Sequence, residues 1–114
     1  MPLVKLQTNI DINDSDRYAM SKDVSELAAR ELGKPESYVM VIIEPTTSML
    51  FAGTKDPACY IELKSIGLPE SKTKDLSAAL CTFINEQLTI NKDRIYIEFA
   101  DAPRAMWGWN GATF

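Results

Sequence analysis

One pattern limits what this chain can fold into: it is written twice. Leu3-Val4-Lys5-Leu6-Gln7-Thr8 returns in character as Tyr60-Ile61-Glu62-Leu63-Lys64-Ser65, displaced by 57 positions, half of the 114-residue length. Both segments, rich in Val, Ile, Leu and Tyr, predict short strands. Each is followed by apolar residues at helical spacing, Met20, Val24, Leu27, Ala28 and Leu32 in the first half and Leu76, Ala79, Leu80, Phe83, Ile84 and Leu88 in the second. Ser15 suits the N-cap of the first helix, and Gly33 followed by Pro35 closes it; Ser71 or Thr73 suits the cap of the second. A second strand then follows in each half, Tyr38 to Ile43 and Ile95 to Phe99. A short apolar, glycine-bearing piece ends each half: Met49-Leu50-Phe51-Ala52-Gly53 and Met106-Trp107-Gly108-Trp109. The pattern predicts a single domain over 1–114 made of pseudo-repeats 1–57 and 58–114, each β-α-β with a short terminal strand.

A β-α-β crossover is right-handed in nearly all proteins. Two such units side by side predict an α+β fold, a four-stranded mixed sheet with both helices on one face. The opposite face then has no cover from this chain. The run Tyr38 to Ile43 does not alternate, so both of its faces call for burial. The expectation is a closed homo-oligomer in which short terminal strands extend a neighbour's sheet; the subunit number stays open.

Charge and composition exclude several classes. The net charge of -4 argues against a phosphate-binding surface, so nucleic acid is not expected as a partner. An RNA-binding β-α-β-β-α-β domain shares the element order. It needs basic and aromatic residues on its central strands, whereas Glu98 stands between Tyr96 and Phe99. No apolar run reaches the roughly 18 residues of a membrane helix, so no membrane partner is expected. The start, MPLVKLQTNI, lacks the basic and apolar stretches of a signal peptide, which predicts a cytoplasmic protein with leaderless secretion not indicated. Cys59 and Cys81 form no C-x-x-C, which supports neither a metal site nor a redox pair. The chain has no histidine. Any base working near pH 7 is therefore the terminal amine or a strongly shifted Lys, Cys, Asp or Glu.

Several short motifs carry a resemblance: Met1-Pro2, Thr8-Asn9, Leu32-Gly33-Lys34-Pro35, Ser65-Ile66-Gly67, Asp93-Arg94-Ile95-Tyr96-Ile97, and Gly108-Trp109-Asn110 with Thr113-Phe114. None is specific alone, but in this order and spacing the chain resembles the macrophage migration inhibitory factor family of the tautomerase superfamily. The resemblance implies a homotrimer with active sites at subunit interfaces and no cofactor. It also implies keto-enol tautomerisation of small aromatic 2-oxo acids, phenylpyruvate and p-hydroxyphenylpyruvate, and of dopachrome-like compounds. Cytokine-like roles occur in the family too, so an interaction protein with a vestigial site is the alternative; no residue argues for a receptor.

By resemblance, Pro2 is the catalytic base once Met1 is removed; on local sequence alone it merely suits the start of an edge strand. Lys34, which also complements the first helix's dipole, is implied to bind the substrate carboxylate and to depress the proline pKa. Ser65 and Ile66 are implied at the site, Ile66 through its backbone N–H. Tyr38, Tyr96, Trp107, Trp109 and Phe114 are implied as aromatic walls, with Tyr38 and Tyr96 reaching in from a neighbouring subunit. Three positions depart from the better-known members. Lys64 replaces a histidine and adds a positive charge. Glu98 replaces an asparagine of the pocket wall and is expected to repel an anion or to pair with Lys34 or Lys64. Trp107, where a smaller residue is common, is expected to narrow the mouth. The cysteine pair of mammalian members is absent from Asp56-Pro57-Ala58-Cys59-Tyr60-Ile61, so thiol oxidoreductase activity is not expected.

Overall fold

The computed structural model describes residues 1–114. Strand β1 (Leu3–Thr8) leads to helix α1 (Asp14–Leu32) and strand β2 (Met40–Glu44); strand β3 (Cys59–Ile66) leads to helix α2 (Thr73–Leu88) and strand β4 (Ile95–Ala102). The chain ends in a hairpin of β5 (Gly108–Trp109) and β6 (Ala112–Thr113). The main sheet has the order β2-β1-β3-β4, parallel within each half and antiparallel where β1 meets β3. The twofold pattern thus becomes a mixed four-stranded sheet with the two first strands side by side at its centre.

Both helices lie on one face. Met20, Val24, Leu27, Ala28 and Leu32 of α1 and Leu76, Leu80 and Ile84 of α2 share one core with Val4, Leu6, Ile61 and Leu63 of the central strands. These strand residues alternate with half-buried neighbours, because successive side chains in a strand point to opposite faces. The other face is open. Across it run the rows Met40-Leu3-Lys64-Ala100, Ile42-Lys5-Glu62-Glu98 and Glu44-Gln7-Tyr60-Tyr96. Its apolar positions are concentrated on the two outer strands, with Met40 61% and Tyr96 66% exposed.

Several local expectations change. Asn13, not Ser15, caps α1: its side chain accepts from the Asp16 N–H at 2.8 Å, and the Ser15 hydroxyl donates to Asn13 instead. Helix α2 starts without a side-chain cap at Lys72; the 3-10 turn Glu70–Lys72 runs directly into it, and Thr73 donates to the Glu70 carbonyl at 2.8 Å. Tyr38 lies in a 3-10 turn, Glu36–Tyr38, and the strand begins two residues later. The piece from Met49 to Gly53 is not a strand within the chain. Ala52 and Gly53 take positive φ, and Phe51 and Thr54 close a single bridge around them. The last piece does become a strand, paired through an Asn110-Gly111 turn with positive φ at both residues, the geometry of a tight hairpin. Pro2 opens a central strand rather than an edge, tolerable because it stands ahead of the first ladder residue.

Candidate active site

The start of β1 lies at one end of the sheet, where chain segments far apart in sequence converge. Pro2 is fully buried and its carbonyl accepts from the Met40 N–H at 2.9 Å. Continuing the β1–β3 register, in which Leu3 faces Lys64, puts Ser65 across from Pro2 and Ile66 across from Met1. Above Pro2 opens a cleft of about 420 Å³ walled by Tyr38, Trp107, Trp109 and Phe114. The aromatic rings brace one another. Trp109 and Phe114 stack at 5.3 Å, and Tyr38 meets each of them edge-on at 5.6 Å. The Phe114 N–H donates to the Trp107 carbonyl at 3.2 Å, which holds the last residue in the wall. Apolar walls with a few polar groups suit a flat aromatic acid.

The terminal amine sits at this cleft. In the chain as encoded it belongs to Met1 and donates to the Tyr38 carbonyl at 2.6 Å. Its pKa is lowered, first by desolvation and then by the charge of Lys34. Lys34 follows Gly33, whose left-handed conformation (φ 63°) ends α1 and turns the chain toward the sheet end. An amine here is therefore held toward its neutral, basic form.

Of the residues expected at the site, Pro2, Tyr38, Trp107, Trp109 and Phe114 meet in one cleft of one chain. That corrects the expectation for Tyr38: it belongs to the same subunit as the proline, because the 3-10 turn after Lys34 places it beside its own Trp109 and Phe114. Ser65 is fully buried and its hydroxyl faces the Ile66 carbonyl at 3.5 Å, so it supports the strand end and offers no exposed group. Lys64 lies in an adjoining cleft and pairs with Glu62 at 3.7 Å. Tyr96 and Glu98 stand apart from Pro2 within the chain. Tyr96 occupies the row of Gln7, at the far end of β1, and packs on Phe51 at 4.6 Å. Glu98 pairs with neither Lys34 nor Lys64: Tyr60 faces both Glu62 and Glu98 at 3.2 Å, its single hydroxyl hydrogen serving one or the other. Burial, that hydrogen bond and the two negative charges push Tyr60 up to about 12.

Other groups are poorer candidates for the chemistry. Burial, with Cys81 nearby, pushes the Cys59 thiol up to about 12, which removes it as a nucleophile near neutral pH. A cleft of about 350 Å³ elsewhere is lined by Asp11, Asp16 and Asp23, whose carboxylates repel an anion. Two supporting residues have no role assigned by the sequence. The Asp101 carboxylate accepts from the Leu68 N–H at 3.0 Å and ties down the segment just after Ile66. Arg94 donates to the carbonyls of Pro57, Phe51, Thr54 and Asp56 at 3.0–3.4 Å and clamps the loop before β3.

The family model described as macrophage migration inhibitory factor matches residues 1–114. The chain belongs to the macrophage migration inhibitory factor family. A homologue of that factor from Brugia malayi is 39% identical over 115 aligned residues, covering 100% of this chain and 99% of the relative. The homologue from Trichinella spiralis is likewise 39% identical, with both chains fully covered. Among solved structures, the homologue from Prochlorococcus marinus is 41% identical with a TM-score of 0.92, covering 98% of each chain. Membership supports a tautomerase-like or a cytokine-like role, on the α+β fold of the tautomerase superfamily.

Proposed function

We propose that this protein is a keto-enol tautomerase of phenylpyruvate, p-hydroxyphenylpyruvate and dopachrome-like compounds, with the Pro2 amine as general base after removal of Met1. The observation that carries this reading is the buried proline under an aromatic cleft in which desolvation and Lys34 depress an amine. While Met1 is attached, the Pro2 nitrogen is an amide and has no basic lone pair. Once freed, it is a secondary amine whose ring fixes its direction.

The reaction is a proton shift. The neutral amine takes the proton from the enol oxygen, and the O–H pair becomes part of the C=O bond. The C=C pair then takes a proton from the ammonium at the neighbouring carbon, restoring the amine. Lys34 holds the carboxylate, and the Ile66 N–H donates to the substrate. Tyr96 and Glu98 come from the next subunit, which fits their distance from Pro2 within one chain and makes the homotrimer part of this reading. A positioned base of tuned pKa is worth about 10² to 10⁴ in rate.

The test is turnover of phenylpyruvate by processed protein, with intact mass confirming loss of Met1, against Pro2→Gly. A loss of about 10² or more is expected. Equal rates would favour the cytokine-like reading that family membership also supports, and full activity with Met1 retained would end the proposal.

A further inference from the structure

A second cleft, of about 380 Å³, shares Leu3, Trp107 and Gly108 with the one above Pro2. Its remaining walls are Ala100, Ala102, Met106 and Lys64, so Lys64 is its one charged group. Trp107 stands between the two clefts and lines both. The register explains the proximity. Leu3, next to Pro2, pairs with Lys64, and such cross-strand partners have Cβ atoms about 4.5–5.5 Å apart on the same face. On the far side of Lys64 the register position is Ala100, too small to cover the ammonium. Lys64 is only loosely engaged. Its neighbour Glu62 is 3.7 Å away, the side chain is 44% exposed, and an ammonium carries three donors.

We propose that the catalytic cleft continues past Trp107 into a subsite at Lys64 that takes a second carboxylate, so that aryl 2-oxo acids with an acidic group on the distal end of the ring are preferred. This rests on the Pro2 reading for which end of the substrate reacts. Lys34, in the loop that leaves α1, takes the 2-oxo acid end. The ring lies along the Trp107 indole, and Lys64, on the open face, meets the distal group.

The test is equilibrium binding to the processed protein of two unreactive probes, trans-cinnamate and trans-4-carboxycinnamate, read by quenching of tryptophan fluorescence. The dicarboxylate binds about fivefold more tightly at low salt, as suits a partly exposed ion pair, and the preference fades as salt rises. Lys64→Met abolishes the preference and Lys64→Arg keeps it. Lys5→Met also keeps it, since Lys5 is on the same face but pairs with Glu44 at 3.9 Å outside this cleft. No preference in the wild type, no binding of either probe, or a preference surviving in Lys64→Met overturns the subsite. Turnover of phenylpyruvate is measured separately, so a failure of proline catalysis shows there while the binding ratio still judges Lys64.

Discussion

At the scale of single residues, the proposed chemistry concentrates on one nitrogen and the groups that tune it. The terminal amine at the cleft, that of Met1 in the full chain, is lowered by desolvation first and by Lys34 second, and a Pro2 amine freed in its place would meet the same two effects. An amine with a lowered pKa stays neutral to lower pH, so a rate that needs the free base keeps its acid limb low. Removing the Lys34 charge raises that pKa. Lys34→Gln is therefore expected to move the acid limb of the kcat/KM profile to higher pH, as well as raising KM for a carboxylate substrate; a pH–rate series over both variants reads the two effects apart. Asp101 acts at one remove. Its carboxylate accepts the Leu68 N–H at 3.0 Å, and Leu68 is two residues from the Ile66 amide. Asp101→Ala leaves that N–H without its partner, an effect of about 1–3 kcal/mol where the group is shielded from water. The expected result is a raised KM together with a lowered Tm, and Asp101→Asn, which keeps an acceptor oxygen, restores much of both.

At the scale of elements, the helix ends show how local chemistry sets boundaries. Asn13 meets α1 with a side-chain acceptor and Gly33 leaves it in the left-handed region, and both ends are well served. Helix α2 ends instead on Thr89 at φ 56°, a branched side chain in a conformation that favours glycine. Thr89→Gly is expected to stabilise the protein by about 1 kcal/mol, visible as a higher Tm, whereas Asn13→Ala lowers stability by about the same amount. The apolar stripes of both helices were legible because burial demands a 3.6-residue period. The caps were less legible, since several Ser, Thr and Asn residues stand close enough to serve and only the path of the preceding loop chooses among them.

At the scale of the whole molecule, the sheet is finished on one face only. The core between the sheet and the helices is continuous, while Met40, Ile42 and Tyr96 remain uncovered on the outer strands. The piece around Phe51, with Leu50 76% exposed, has only a single bridge of its own. A closed trimer would cover these strands, and light scattering is expected to give three times the chain mass. Ile42→Glu, which puts a carboxylate on an outer strand, is expected to shift that mass downward. A monomeric wild type would separate Tyr96 and Glu98 from the site for good.

Sequence and tertiary structure divide the protein along a physical line. Periodicity, strand composition and turn residues act within a few positions, so the twofold β-α-β plan and the shared helix face could be read from the residues alone. The cleft is different. It joins residues 2, 38, 107, 109 and 114, which meet only because the sheet order places the first strand at the centre and the C-terminal hairpin returns to its end. Composition marks those residues as aromatic but not as neighbours; only the family resemblance grouped them, and it assigned Tyr38 to the wrong subunit. The contacts of Arg94 and Asp101 were hidden for another reason. Their partners are backbone carbonyls and an N–H, groups almost every residue carries, so nothing in the sequence distinguishes the positions they choose.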